Sequence, residues 1–114
     1  MAASGFSELS VRQLLARRRR LAGGLSDPER TLRGVLLHKG RRCSSEGCHC
    51  RRGELHGPYP YLVVYSGGRS RTIYVPAAVE AVCGAHVEGT QRNEELLLEI
   101  SQINLELLRR RALE

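Results

Sequence analysis

The sequence predicts an α+β fold: an N-terminal helix, a small three-stranded antiparallel sheet with a zinc knuckle, and a long C-terminal helix. Three observations carry this. Ser10 is followed three residues later by Gln13, a capping-box pattern ahead of an apolar periodic run. Two runs rich in Tyr, Val and Ile are separated by Gly67-Gly68, the signature of a tight hairpin. Pro76 opens a stretch with helical apolar spacing that lasts to the end of the chain. At 114 residues the expectation is a single domain, 1–114, made of a helix over 11–22, a zinc-knuckle and hairpin region over 31–75, and a helix over 77–111.

The first helix runs from Val11 to Ala22. Leu9 and Leu14 supply the hydrophobic staple that accompanies a capping box, Val11, Leu14, Leu15 and Leu21 form one apolar stripe, and Gly23-Gly24 stops the helix. Ser26 to Glu29 reads as a loop with at most one helical turn. Thr31 to Lys39 reads as a strand that runs into a basic knuckle, Lys39-Gly40-Arg41-Arg42.

The hairpin pairs Tyr59–Ser66 with Arg69–Val75. A two-residue turn sets Tyr65 opposite Ser70, Val63 opposite Thr72 and Tyr61 opposite Tyr74. Alternation then places Tyr59, Tyr61, Tyr65 and Tyr74 on one face, and Leu62, Val64, Ile73 and Val75 on the other.

In the second helix Gly84 and Gly89 each cost roughly 1 kcal/mol. A bend is expected there, or a break with Thr90 as a new N-cap. Beyond it Leu96, Ile100, Ile103 and Leu107 follow 4-3-4 spacing, a short coiled-coil seam expected to form a homodimer interface, with Asn104 able to fix its register. Leu97, Leu98, Leu105 and Leu108 widen the apolar surface beyond one stripe. Packing on the Leu14-Leu15-Leu21 stripe of the first helix is the competing use of that seam.

Composition bounds the function. The chain holds 17 Arg and 1 Lys against 12 acidic residues, a formal charge of +6. The excess is uneven: residues 1–52 carry 12 basic and 4 acidic side chains, residues 53–114 carry 6 and 8. The size excludes a large enzyme with a deep cleft, and 41% hydrophobic content excludes a disordered acidic chain. The N-terminal residues lack a secretory pattern, and no apolar stretch is long enough to span a bilayer, so a cytoplasmic protein without a membrane partner is expected.

Thiols stay reduced in that compartment, which favours metal over disulfides for the cysteines. Cys43, Cys48 and Cys50 are followed by His56, read as C-x4-C-x-C-x5-H. Three thiolates and an imidazole close the tetrahedron that structural Zn²⁺ prefers and leave no open position for catalysis. His49 competes with His56 for the fourth place. Unliganded thiols, an iron–sulfur cluster and a catalytic zinc with Glu54 as base are the weaker readings; the first lacks apolar company, the second usually takes four cysteines. Cys83, beside Val79, Val82 and Val87 on a helical face, reads as a small core residue.

Cys43 through Tyr61, with Tyr74-Val75-Pro76 and the terminal run from Ile100 to Leu108, resembles an uncharacterised prokaryotic family of unknown function. Its signature is a cysteine segment followed by His-Gly-Pro-Tyr, here His56-Gly57-Pro58-Tyr59, then a hairpin, a Tyr-Val-Pro step and a long helix. The similarity spans roughly residues 8–110, and Ser44 stands where the family usually has Gly. The resemblance implies this fold and a metal, places the family in mobile-element neighbourhoods, and carries no activity.

Four basic clusters point to phosphate: Arg17, Arg18 and Arg20 within the Arg17–Arg20 turn; Lys39, Arg41 and Arg42; Arg51 and Arg52; and Arg69 with Arg71. Tyrosines on a sheet face add stacking platforms for unpaired bases, although covering a small sheet against a helix is the commoner use of such rings. The expectation is therefore a non-catalytic, zinc-stabilised nucleic-acid-binding protein, DNA ahead of RNA, with no small-molecule substrate, serving a mobile element as accessory or regulator. The alternative is a dimeric protein-interaction adaptor that works through its C-terminal helix.

Overall fold

The computed structural model describes residues 5–42, 47, 53 and 55–114. It contains α1 (Val11–Ala22), β1 (Val35–Arg41), β2 (His56–Ser66), β3 (Arg69–Tyr74) and α2 (Glu80–Arg109), with short 3-10 turns at Pro28–Arg30 and Ala77–Val79. The α+β class and element order are as the sequence predicts. The chain forms two compact units, Met1–Arg30 with Gly89–Glu114, and Thr31–Glu88, each with its own apolar cluster.

In the first unit α1 begins as its capping box requires. Gln13 N–H donates to Ser10 Oγ at 3.1 Å, and Ser10 N–H donates to Gln13 Oε1 at 2.8 Å. Leu14 of α1 meets Ile103 and Leu107 of α2, all fully buried, together with Phe6. Leu9, Val11, Leu15, Leu21 and Ala112 surround them. Full burial of each large aliphatic side chain stabilises by about 1.5–3 kcal/mol, so this cluster holds the two helical segments together. Their contacts run antiparallel: Arg17 reaches Glu99, and further along Ser26 and Asn93 exchange two hydrogen bonds, at 3.2 and 2.7 Å.

The C-terminal end of α2 closes with a Schellman motif. Ala112 N–H donates to Leu107 O at 2.8 Å and Arg111 N–H to Leu108 O at 2.9 Å, with Arg111 in the left-handed region at φ 59°. Ala112 also packs on the core cluster, the hydrophobic contact that usually accompanies this motif.

In the second unit the sheet order is β1-β2-β3, antiparallel throughout. The hairpin register is the one the two-residue turn dictates: Tyr61 opposite Tyr74, Val63 opposite Thr72, Tyr65 opposite Ser70. Gly67 and Gly68 take φ +59° and +77°, the doubly left-handed turn that matches strand twist and that glycine adopts without strain. Leu62, Val75 and Val87 form the core of this unit, lined by Leu32, Leu36, Val64 and the half-buried Cys83. The first part of α2 thus covers one sheet face.

Several boundaries differ from the sequence reading: β1 extends to Arg41, β3 ends at Tyr74, and α2 spans Glu80–Arg109 after a 3-10 turn at Ala77–Val79. β1 begins at Val35 rather than Thr31, and Leu32 packs into the core before the strand starts. β2 begins at His56 rather than Tyr59, because His56 pairs with Arg41 across a register shift. α2 also runs unbroken through Gly84 and Gly89, and Thr90 is buried instead of capping a new helix. Val87 before the glycine pair ends, and Ile103 and Leu107 after it, are buried, and that packing outweighs the roughly 2 kcal/mol of glycine propensity cost. Among the described residues no helix is long and apolar enough to cross a membrane.

Candidate nucleic-acid interface

Alternation along the strands puts Val35, Leu37 and Lys39 of β1 beside Tyr59, Tyr61, Val63 and Tyr65 of β2 and Thr72 and Tyr74 of β3. This face is the one turned away from the Leu36, Leu62 and Val64 side on which α2 packs. Tyr74 meets Tyr61 edge-on, with centroids 5.8 Å apart, and Tyr59 at 6.4 Å, both with rings inclined at 69°. Exposure grades across the group: Tyr61 is buried and Tyr59 half-buried, whereas Tyr74 and Tyr65 are 50% and 72% exposed.

Cations complete the face. The Lys39 ammonium lies 5.0 Å from the Tyr61 ring centroid, and the Arg41 guanidinium 5.3 Å from that of Tyr59. Between Lys39 and Arg41 the partner residue steps from Tyr59 to His56, so β2 carries one extra residue there, a bulge. Gly57 sits in it at φ +101°, and a Cβ at this position would come within 2.7 Å of the Tyr59 backbone nitrogen. Only glycine fits, and its absence of a side chain leaves room for the Tyr59 ring on which Arg41 stacks.

The predicted basic residues are divided between the two units. Lys39 and Arg41 line the tyrosine face, and Arg42 follows them, exposed. Arg69 and Arg71 are exposed on β3, but Arg71 pairs with Val64 and so lies on the helix-bearing side of the sheet. In the other unit Arg17 donates through Nε and Nη2 to Glu99 Oε2, at 2.9 and 2.7 Å, with its guanidinium 5.4 Å from the Phe6 ring centroid. Arg18 donates to Asn104 Oδ1 at 2.8 Å and to Glu114 Oε1 at 2.7 Å. Arg17 and Arg18 therefore tie α1 to α2, whereas Arg19 and Arg20 are exposed. Arg51 and Arg52 lie outside the described residues.

The predicted metal site is reached at one position. His56 opens β2, half-buried, with its backbone paired to Arg41 at the end of β1. Cys43, Cys48 and Cys50, with His49, lie outside the described residues. Among the described residues no three His, Cys, Asp or Glu side chains gather as metal ligands. The donor set still fits the ion: three thiolates and one imidazole match the ligand preference of structural zinc.

The seam expected to meet a partner is used within the chain. Ile103 and Leu107 are fully buried against Leu14 and Phe6. Leu96 is half-buried, its Cδ1 3.2 Å from where a Cβ on Gly24 would lie, and Ile100 is half-buried. The reason is the competing use named above: the α1 stripe is complementary and covalently linked, so it takes the seam first.

Two arrangements escaped the sequence reading. The cation stacking on Tyr59 and Tyr61 depends on the β1–β2 register, which no tight turn announces. The second is the cluster around Glu106, which accepts hydrogen bonds from Arg109 and from Arg110 Nε, the latter at 2.6 Å. These bonds, Arg109's first, hold the Glu106 carboxyl down at about 2. Arg110 in turn donates to three N-terminal carbonyls: Leu9 O at 2.6 Å, and Phe6 O and Ser7 O at 3.0 Å. The i, i+3 and i, i+4 spacing of Glu106 to both arginines was the available signal.

Fold and face together define a small α+β protein that carries an aromatic, cation-lined sheet surface. The chain belongs to a family described as a domain of unknown function, DUF6788, whose model matches residues 11–82, more than half of its length. No curated protein and no solved structure matches it.

Proposed function

We propose that this protein is a non-catalytic nucleic-acid-binding protein whose contact surface is the tyrosine face of its sheet. The observation that carries this reading is the layering of Lys39 and Arg41 on Tyr61 and Tyr59, beside the exposed rings of Tyr65 and Tyr74. Exposed aromatic rings stack on unpaired bases, and neighbouring cations meet the phosphates that join them. That pairing of chemistries favours single-stranded segments, of DNA first. Arg42, Arg51 and Arg52 extend the positive charge along the β1–β2 connection.

A structural Zn²⁺ held by Cys43, Cys48, Cys50 and His56 belongs to the same reading. Residues Arg41 and His56 pair at the base of that connection, so one donor is already anchored to the sheet beside the cationic strand end. When bound, the ion supplies no reaction; it cross-links the loop that carries Arg51 and Arg52. The signature linking the cysteine segment to His56-Gly57-Pro58-Tyr59 supports an accessory or regulatory role at mobile elements, and a cytoplasmic location accords with it.

The test is fluorescence anisotropy with labelled single-stranded and duplex oligonucleotides. Tyr74→Ala and Tyr65→Ala should each weaken single-strand binding by about 5- to 100-fold, the range that loss of one stacked base implies. Unchanged affinity in both variants, or no binding by the wild type even at ~50 mM salt, refutes the reading.

A further inference from the structure

Burial of Ile103 and Leu107 inside the chain leaves a different face of α2 outward. Leu97, Leu105 and Leu108 are 51%, 60% and 57% exposed. With Ile100, Ser101 and Asn104 they line one shallow groove. Positions 97, 101, 104 and 108 follow the same 4-3-4 spacing as the buried seam, displaced by one residue and hence by about 100° around the helix. So α2 carries two adjacent seams. The first is filled by α1; the second meets α1 at Asn104, which accepts from Arg18, and leaves Leu97 and Leu108 exposed.

We infer that a second copy of this chain covers the outer seam, with the two α2 helices antiparallel. The charge pattern selects both the occupant and its direction. Glu94, three residues before Leu97, continues the seam at its acidic end, and Arg111, three residues after Leu108, at its basic end. An antiparallel two-fold axis passing between residues 101 and 104 brings the acidic end of each helix to the basic end of its mate. A parallel pairing would set like charges together at both ends, which is destabilising. The same axis brings Leu97 opposite Leu108 of the second copy and Ile100 opposite Leu105. It also matches the two polar positions, Ser101 and Asn104, to each other, so neither is left facing a leucine. A polar pair at one layer is how such seams fix register at some cost in strength. With so few apolar layers the dimer is a reversible one, with a dissociation constant on the order of micromolar. This inference is independent of the nucleic-acid reading and of the metal.

Sedimentation velocity of the full chain as purified, from ~1 µM to ~0.2 mM, tests it. The wild type should shift from monomer to dimer mass across that range. Leu97→Glu and Leu108→Lys, each alone, should give monomer throughout, while circular dichroism shows the helices retained, since both sites are solvent-exposed in the monomer. The two substitutions combined in one chain should restore dimerisation, because only the antiparallel arrangement sets position 97 against position 108 of the other copy. A wild type that stays monomeric, single variants that still dimerise, or a double variant that stays monomeric overturns the inference.

Discussion

Lys39 places its ammonium 5.0 Å from the ring centroid of Tyr61, a diagonal neighbour across the β1–β2 ladder. Tyr61 is itself buried, so the lysine sits on a ring fixed from below and flanked by Tyr74. A flexible cation is thereby held at a set place on the sheet face.

That placement separates two contributions of Lys39. Lys39→Met should cost about 0.5–1 kcal/mol of stability, read by urea denaturation, through loss of the cation–π contact. In nucleic-acid binding it should lower affinity evenly across oligonucleotide sequences and reduce the magnitude of the log–log salt slope by about 1. Arg17→Gln, whose native partner is Glu99, should leave that slope unchanged.

Elemental analysis of the purified protein should find about one zinc ion per chain, and the double substitution Cys48→Ser with Cys50→Ser should abolish it. Chelation should speed amide exchange first within residues 40–60 and leave Leu14 and Ile103, in the other unit, protected. Full metal retention in the double variant would count against the ligand set.

Glu106 predicts a pH dependence. Its carboxyl is held at about 2 by Arg109 and Arg110, below the value of an unfolded glutamate. A depressed carboxylate contributes stability that is complete above the unfolded value and declines as pH falls through the folded one. Denaturant midpoints of wild type and Glu106→Gln should therefore differ most at neutral pH and converge between about pH 4.5 and pH 2. Arg110→Ala should destabilise by roughly 1–3 kcal/mol at neutral pH, and by less at low pH where Glu106 is protonated, since it removes one donor from each of the Leu9, Phe6 and Ser7 carbonyls as well as a partner of Glu106, and should loosen the amides of residues 6–14 first.

Arg111 ends α2 in the left-handed region, which is costly for any residue with a Cβ. Arg111→Gly should raise stability by about 0.5–1 kcal/mol, measured as a higher melting temperature, while keeping both Schellman hydrogen bonds. A decrease would show that the arginine side chain holds more than the backbone strain removes.

The sequence by itself determined the local elements. Ser10 and Gln13 define the start of α1 because both partners of the capping box lie within one turn. Gly67-Gly68 defines the hairpin register because a two-residue turn admits only one alignment, and alternation then places the four tyrosines on a common face. The spacing of Cys43, Cys48, Cys50 and His56 was visible as a pattern, and its three cysteines fall outside the described residues. What only the tertiary structure decided were relations between segments far apart in the chain. The β1–β2 register joins strands separated by a long connection without a diagnostic turn, so the stacking of Lys39 and Arg41 on tyrosines could not be read from spacing. The same holds for α2, whose periodicity offers two seams one residue apart and does not say which is inner. Packing against Leu14 and Phe6 chose the Ile103–Leu107 seam, and the identical choice turned Arg17 and Arg18 inward to Glu99 and Asn104. Periodicity reports that a face is apolar; only the complementary surface that reaches it first decides what covers it.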